Sequence, residues 1–216
     1  MKKGAIFDMD GVLFDTERLY QQSWMLLAEE MGLEPDPAFP KAVCGTNGAF
    51  MLDIIRKYYP SIDAQTYMQG CLDRVAGIVE TAVPEKEGIH EILAYLHQNK
   101  VKIAVASSSP LETIKHHLKL SGIFPYFDAI VSGEQIAHGK PAPDIFLEAA
   151  ARLNLPAKDC YVFEDGINGI HAGVAAGCTT VMVPDLTEPT EALYQLCSAV
   201  YPNLTAVQNA LETGDL

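Results

Sequence analysis

Short apolar, β-branched runs recur along the chain at Ala5 to Phe7, Val101 to Ala106, Ala129 to Val131, Tyr161 to Phe163 and Thr179 to Val183. Between them the apolar period changes to that of a helix, as at Ile89, Ile92, Leu93 and Leu96, and again at Phe146, Ala149, Ala150 and Leu153. Strands alternating with helices predict a parallel sheet in an α/β fold, with those helix faces packed on it. One interval breaks the rhythm, because about 85 residues separate the first strand from the second where a βαβ crossover takes roughly 30. Within it lie three helical patterns, Arg18 to Met31, Ala49 to Tyr58 and Gln65 to Glu80, separated by Pro- and Gly-containing breaks and without strand alternation. The pattern predicts a helical cap at 16–83, inserted into a core of 1–15 and 84–216 and joined to it near Asp15-Thr16 and Val83-Pro84.

With 216 residues and 49% hydrophobic content, the chain can bury a full core. No apolar run approaches the roughly 20 residues of a membrane helix, and Met1-Lys2-Lys3-Gly4 leads straight into the first strand, so a soluble, cytoplasmic and monomeric protein is expected. The five cysteines, Cys44, Cys71, Cys160, Cys178 and Cys197, are odd in number and form no C-x-x-C pair, which points to reduced, mostly buried thiols. A net charge of -13 argues against nucleic acid or an anionic membrane as partner, since both need a basic face. If the substrate is itself an anion, the site needs a local positive charge or a metal.

Four stretches carry the chemistry. Asp8-Met9-Asp10-Gly11-Val12-Leu13-Phe14-Asp15-Thr16 stands where the first strand ends, and ligands of open parallel sheets bind at the carboxyl ends of the strands. A carboxylate there can attack phosphorus to form an aspartyl-phosphate, and a second one two residues along can protonate the leaving oxygen and later deprotonate water. A plain turn would use the same residues. A calcium loop would need a third acidic position and a later Gly that are missing. In Ala106-Ser107-Ser108-Ser109-Pro110, Pro110 suits a first helical position and Ser109 an N-cap, so that backbone N–H groups face a phosphate and the Ser107 hydroxyl is the best side-chain donor.

Lys140, clamped between Gly139 and Pro141, can neutralise a transferring phosphoryl group and hold the Asp8 carboxylate. Gly133 and Gly139-Lys140 do not make a nucleotide loop, because the spacing has one residue too many and Pro141 replaces the magnesium-holding Ser or Thr. Glu164-Asp165 closes another apolar strand, and adjacent acids there are expensive unless they bind something. A hard, oxygen-ligated cation fits, with magnesium held by Asp8, a carbonyl near Asp10, and Asp165. At roughly 4 Å and an effective dielectric near 20, each like-charge pair repels by about 4 kcal/mol, so a phosphate dianion needs both that cation and Lys140 to approach Asp8.

These motifs, Asp8-x-Asp10-Gly-Val-x-x-Asp15-Thr16, Ser107, Lys140-Pro141-x-Pro143 and Glu164-Asp165, resemble in order those of the haloacid dehalogenase-like superfamily, in its branch of β-phosphoglucomutase-like phosphatases. The resemblance spans nearly the whole chain. It implies a Rossmann-like core, Asp8 as nucleophile, Asp10 as general acid/base, Ser107 and Lys140 as phosphate holders, and Asp165 with Glu164 as metal acids; the serine stretch itself adds Ser108 and Ser109 to the candidate phosphate-binding residues. Asp10 argues for phosphoryl transfer, since true haloacid dehalogenases usually lack that second aspartate. In β-phosphoglucomutase the cap supplies an arginine after a Gly-containing turn to grip a distal phosphate. Here Cys44-Gly45-Thr46-Asn47-Gly48 has no basic residue, which favours a phosphatase over a mutase. Asn47 is then the candidate to hydrogen-bond a substrate hydroxyl, and Trp24 and Tyr20 could line the pocket, although helix packing accounts better for Trp24.

Among the histidines, His116 and His117 are expected on a polar helix face, and His138 is the one expected near the site. The expected function is magnesium-dependent hydrolysis of small, sugar-phosphate-like monoesters. A sugar-phosphate mutase and a non-catalytic binding protein are the alternatives.

Overall fold

The computed structural model describes every residue except Cys44, Gly45 and Asn47. The candidate substrate contact Asn47 and most of its turn therefore lie outside the described residues. The chain divides into two compact units, one of Met1–Asp15 with Pro84–Leu216 and one of Thr16–Val83.

Among the described residues the first unit holds a six-stranded sheet: β1 Gly4–Phe7, β2 Lys102–Ser107, β3 Ala129–Ser132, β4 Cys160–Glu164, β5 Thr179–Met182 and β6 Ala199–Val200, in the order β3-β2-β1-β4-β5-β6. Every neighbouring pair is parallel. The helices in chain order are α1 Thr16–Glu30, α2 Phe39–Val43, α3 Gly48–Tyr58 and α4 Ala64–Val79 in the second unit, then α5 Ile89–Gln98, α6 Leu111–Leu120, α7 Asp144–Arg152, α8 Ile167–Ala175, α9 Glu191–Leu196 and α10 Leu204–Thr213 in the first. The α/β class and Rossmann-like parallel core expected from the strand–helix alternation are thus present.

The sheet is buried on both faces, as a parallel sheet must be to satisfy its apolar runs. Ile6, Ala104, Ala106, Val131 and Val162 meet Phe146, Ala149 and Ala150 of α7 and Ala172 of α8 on one side. Residues of the opposite parity, Ala5, Phe7, Ile103, Val105 and Phe163, are equally buried, with the Phe7 and Phe163 rings 4.7 Å apart. Gly173 lets α8 sit close to the sheet, since a Cβ there would lie 2.7 Å from Thr180 Oγ1 and 3.1 Å from Val162 Cγ1. The register sets Phe7 level with Val105 and Phe163, so β1, β2 and β4 end within two residues of one another on the same side of the sheet.

The second unit has its own core of Trp24, Ala28, Phe39, Ile55, Tyr59, Tyr67, Cys71 and Val75. Trp24 packs 5.5 Å from the Phe39 ring and 5.3 Å from that of Tyr67, whose hydroxyl donates to the Trp24 carbonyl at 2.7 Å, so helix packing is its structural role here. Tyr20 packs partly buried against the same cluster. Asp63 caps α4, accepting from Thr66 N–H.

Several expectations change. The sixth strand escaped the pattern because it is two residues long and is recruited by its neighbour, with Ser198 N–H donating to Thr180 O and Tyr201 N–H to Met182 O. His117 is only 4% exposed rather than on a polar face, since it follows the buried Ile114 by one helical turn and precedes the buried Leu118. Cys71 and Cys160 are buried and free, while Cys178 and Cys197 are free but only half-buried. Among the described residues no helix is long and apolar enough to cross a membrane.

Candidate active site

Asp8 is the first residue beyond β1, and its N–H still pairs with Phe163 O at 2.9 Å, which fixes the backbone beneath its carboxylate. The chain then turns at once: Leu13 and Phe14 N–H both donate to Met9 O, and Gly11 N–H to Phe14 O. Gly11 is needed twice over. Its φ of +86° is one that L side chains resist, and a Cβ there would stand 2.5 Å from Asp165 Oδ2. The Asp10–Asp15 loop therefore rests directly on the Asp165 carboxylate.

Lys140 reaches in from the loop before α7. Its ammonium donates to Asp8 Oδ1, to Glu164 Oε1 at 2.7 Å and to the Ala106 carbonyl at 3.4 Å, and it lies 5.0 Å from the centre of the Phe146 ring. Asp8 and Glu164 are buried, and the Lys140 side chain is only 10% exposed. The other oxygen of Glu164 accepts Gly166 N–H at 2.8 Å. Its side chain crosses α8 where Gly169 leaves room, since a Cβ at that position would be 1.6 Å from Glu164 Oε1. Because Glu164 is held at both oxygens it cannot simply swing away. Gly169→Ala is therefore expected to cost about 1 to 3 kcal/mol by overpacking and to cut turnover at least about tenfold by pulling Glu164 off Lys140. Denaturant unfolding and steady-state assays measure the two effects.

The serine stretch sits differently from the expectation. Pro110, not Ser109, holds the N-cap position of α6. Ser109 instead turns its hydroxyl to Asp10 Oδ2 at 2.9 Å, while its N–H donates to Ser107 Oγ at 3.0 Å. Ser107 Oγ itself stands 3.5 Å from the same Asp10 oxygen, and Ser108 is exposed. One N–H of the α6 N-terminus is taken from within, as Leu111 N–H donates to Glu134 Oε2 at 3.1 Å. A local capping rule could not foresee a partner 23 residues away. Ser132, not singled out from the sequence, anchors the stretch by donating to Ser109 O at 2.7 Å. Its capping box with Gln135 was the available signal. His138 turns outward to Asp144 at 2.9 Å and takes no part.

The structure thus brings Asp8, Asp10, Ser107, Ser109, Lys140, Glu164 and Asp165 to one end of the sheet. Carboxylate oxygens of Asp8, Glu164 and Asp165 lie within 4.8 Å of one another. Burial, assisted by the charges of Glu164 and Asp10, pushes the Asp8 carboxyl up to about 8 despite Lys140. Burial and then the charges of Glu164 and Asp8 raise Asp165 as well. Burial alone would lower Lys140, but Asp8 and Glu164 hold it above its ordinary value, so it is an ammonium throughout. One ammonium among four carboxylates leaves a surplus of negative charge, and the donors are all hard oxygens. That donor set and surplus fit a divalent magnesium ion.

The haloacid dehalogenase-like hydrolase profile matches residues 5–183. The chain belongs to that family. It is 30% identical over 176 residues to the phosphorylated carbohydrates phosphatase of Thermotoga maritima, covering 81% of this chain and 82% of that one. It is also 32% identical over 189 residues to the β-phosphoglucomutase of Bacillus subtilis, covering 84% and 83%. Among solved structures, a haloacid dehalogenase family hydrolase from Deinococcus radiodurans, with bound phosphate and sodium, superposes with a TM-score of 0.84 at 26% identity, covering 99% of this chain and 96% of that one. As an enzyme, this member of the family stands with the phosphoric monoester hydrolases.

Proposed function

We propose that the protein is a magnesium-dependent phosphatase of small, sugar-phosphate-like monoesters that works through an aspartyl-phosphate on Asp8. The observation that carries the reading is the contact of Lys140 with both Asp8 and Glu164, beside an Asp10 held by Ser109. Asp8 Oδ attacks phosphorus and the ester P–O bond breaks, while the Asp10 carboxyl hands its proton to the departing alkoxide oxygen. Asp10, now a carboxylate, takes a proton from water, whose oxygen attacks the same phosphorus. The P–O bond to Asp8 breaks and inorganic phosphate leaves. Lys140 orients the Asp8 carboxylate through Oδ1, and with the Ser107 hydroxyl and the Ser108 N–H it offers donors to the phosphoryl oxygens. Asp8, Asp165, the Asp10 carbonyl and, behind them, Glu164 would hold magnesium, which when bound supplies positive charge against the phosphoryl oxygens. In this reading the unit of Pro84–Leu216 with Met1–Asp15 is the catalytic core and Thr16–Val83 a specificity cap to which Asn47 contributes.

Asp10→Asn is expected to slow turnover by about 10² to 10⁴, the usual contribution of a general acid/base, and to leave magnesium binding largely intact because the metal uses the backbone there. Steady-state kinetics with a magnesium titration checks both halves. The β-phosphoglucomutase of Bacillus subtilis, as similar to this chain as the phosphatase relative, gives a mutase reading its support. Against it stands residues 44–48, where no basic side chain is available for a second phosphate. A panel of phosphorylated metabolites, scored for magnesium-dependent phosphate release and for isomerisation of β-glucose 1-phosphate, decides between them. No turnover across the panel would favour a non-catalytic binding protein instead.

A further inference from the structure

One ion pair, part-buried at its lysine, adjoins the acid cluster without belonging to it. Lys86 Nζ lies 2.7 Å from Asp185 Oδ1 and 3.8 Å from Asp15 Oδ1. The Lys86 side chain is 18% exposed and that of Asp185 0%, so solvent screens this pair far less than a surface one. Asp185 follows the end of β5, the neighbour of β4, whose end carries Glu164 and Asp165. The two strand ends are joined there, as Val183 N–H donates to Glu164 O at 2.8 Å, which brings the Asp185 segment alongside the Glu164-Asp165 pair. Lys86 is also bound to the loop after β1: its N–H donates to Leu13 O at 2.9 Å, and Asp15 N–H donates to Pro84 O at 2.8 Å. Those bonds fix the far end of the loop whose Gly11 rests on Asp165.

We propose that Lys86 is a positioning residue for the cation site: its ammonium cancels the buried charge of Asp185 beside Asp165 and pins the Asp15 end of the Asp10–Asp15 loop. The inference rests on the reading of Asp8, Glu164 and Asp165 as cation ligands. With Lys86 present, the field of Asp185 is largely compensated. Without it one positive charge is lost from a poorly screened site, which then attracts a divalent cation more strongly and opposes a phosphate dianion. Lys86 in this account trades cation affinity for phosphate affinity.

The test is a calorimetric titration of magnesium, without substrate, into the wild type, Lys86→Met, Asp185→Asn and the double variant, accompanied by kcat and KM on one substrate. Lys86→Met is expected to bind magnesium about tenfold tighter and to raise KM about tenfold. Asp185→Asn should bind magnesium more weakly than the wild type, and the double variant, having lost both charges, should return close to wild type. If Lys86→Met fails to fold, the opposition between Asp185→Asn and the double variant still carries the test. Equal magnesium affinities in all folded variants, or shifts of one sign in both single variants, would overturn the proposal and leave the pair a structural one. A wild type that binds no magnesium would instead overturn the cation reading itself, a result distinguishable from the others.

Discussion

Asp8→Asn should reduce turnover to no more than a few per cent of wild type while the fold survives. The substitution removes the attacking charge with almost no change of volume, and two of the neighbouring carboxylates are engaged elsewhere, Glu164 with Lys140 and Gly166 and Asp10 with Ser109. Stability should not fall. The folded carboxyl lies at about 8, above its ordinary value of 3.8, so in metal-free protein it costs stability progressively as pH rises from about 4 to 8, and Asn removes that cost. Lys140 keeps Glu164 as a partner in the variant. Thermal unfolding of the metal-free variant at pH 8 should therefore occur no lower than that of wild type, and a variant that keeps substantial turnover would remove Asp8 from the role of nucleophile.

Chelation of divalent cations should abolish turnover just as completely, with recovery on adding magnesium. Asp8, Asp10, Glu164 and Asp165 face the site against the single ammonium of Lys140. Each like-charge pair at ~4 Å and a dielectric near 20 costs about 4 kcal/mol, nearly three orders of magnitude, so a phosphate dianion meets a prohibitive barrier without further positive charge. Burial, with the charges of Glu164 and Asp10 behind it, keeps the metal-free Asp8 carboxyl up at about 8, where much of it is protonated and unable to attack at neutral pH. Phosphate release assayed after exhaustive chelation, and again with magnesium restored, measures this. Full activity in the chelated protein would mean that Lys140 alone suffices.

Much of this was legible in the sequence because it is local. The apolar runs of β1 to β5 are long enough to announce themselves, and Asp8, Lys140, Glu164 and Asp165 stand at strand ends or in a Gly–Pro clamp that a short window can read. What escaped is long-range. Glu134 takes the Leu111 N–H of α6 from 23 residues away, and Ser109 holds Asp10 instead of capping the helix. Gly169 looks like any small helical residue until the Glu164 side chain is found lying across it. Lys86 and Asp185 are 99 residues apart, and each alone reads as a surface charge. His117 is polar in type, but it lies one helical turn after Ile114 and beside Leu118, whose burial draws it inward.

The central claim is a phosphoryl group carried by Asp8, and Asp10→Asn offers the means to catch it. With an aryl phosphate the leaving group departs without a proton, so the first step proceeds in the variant, while attack by water, which needs the Asp10 base, is slowed. Acid quench followed by reduction of the acyl phosphate and peptide mass mapping should find one modified residue, Asp8. A label at any other residue, or an unmodified protein in the midst of continuing hydrolysis, would contradict the account.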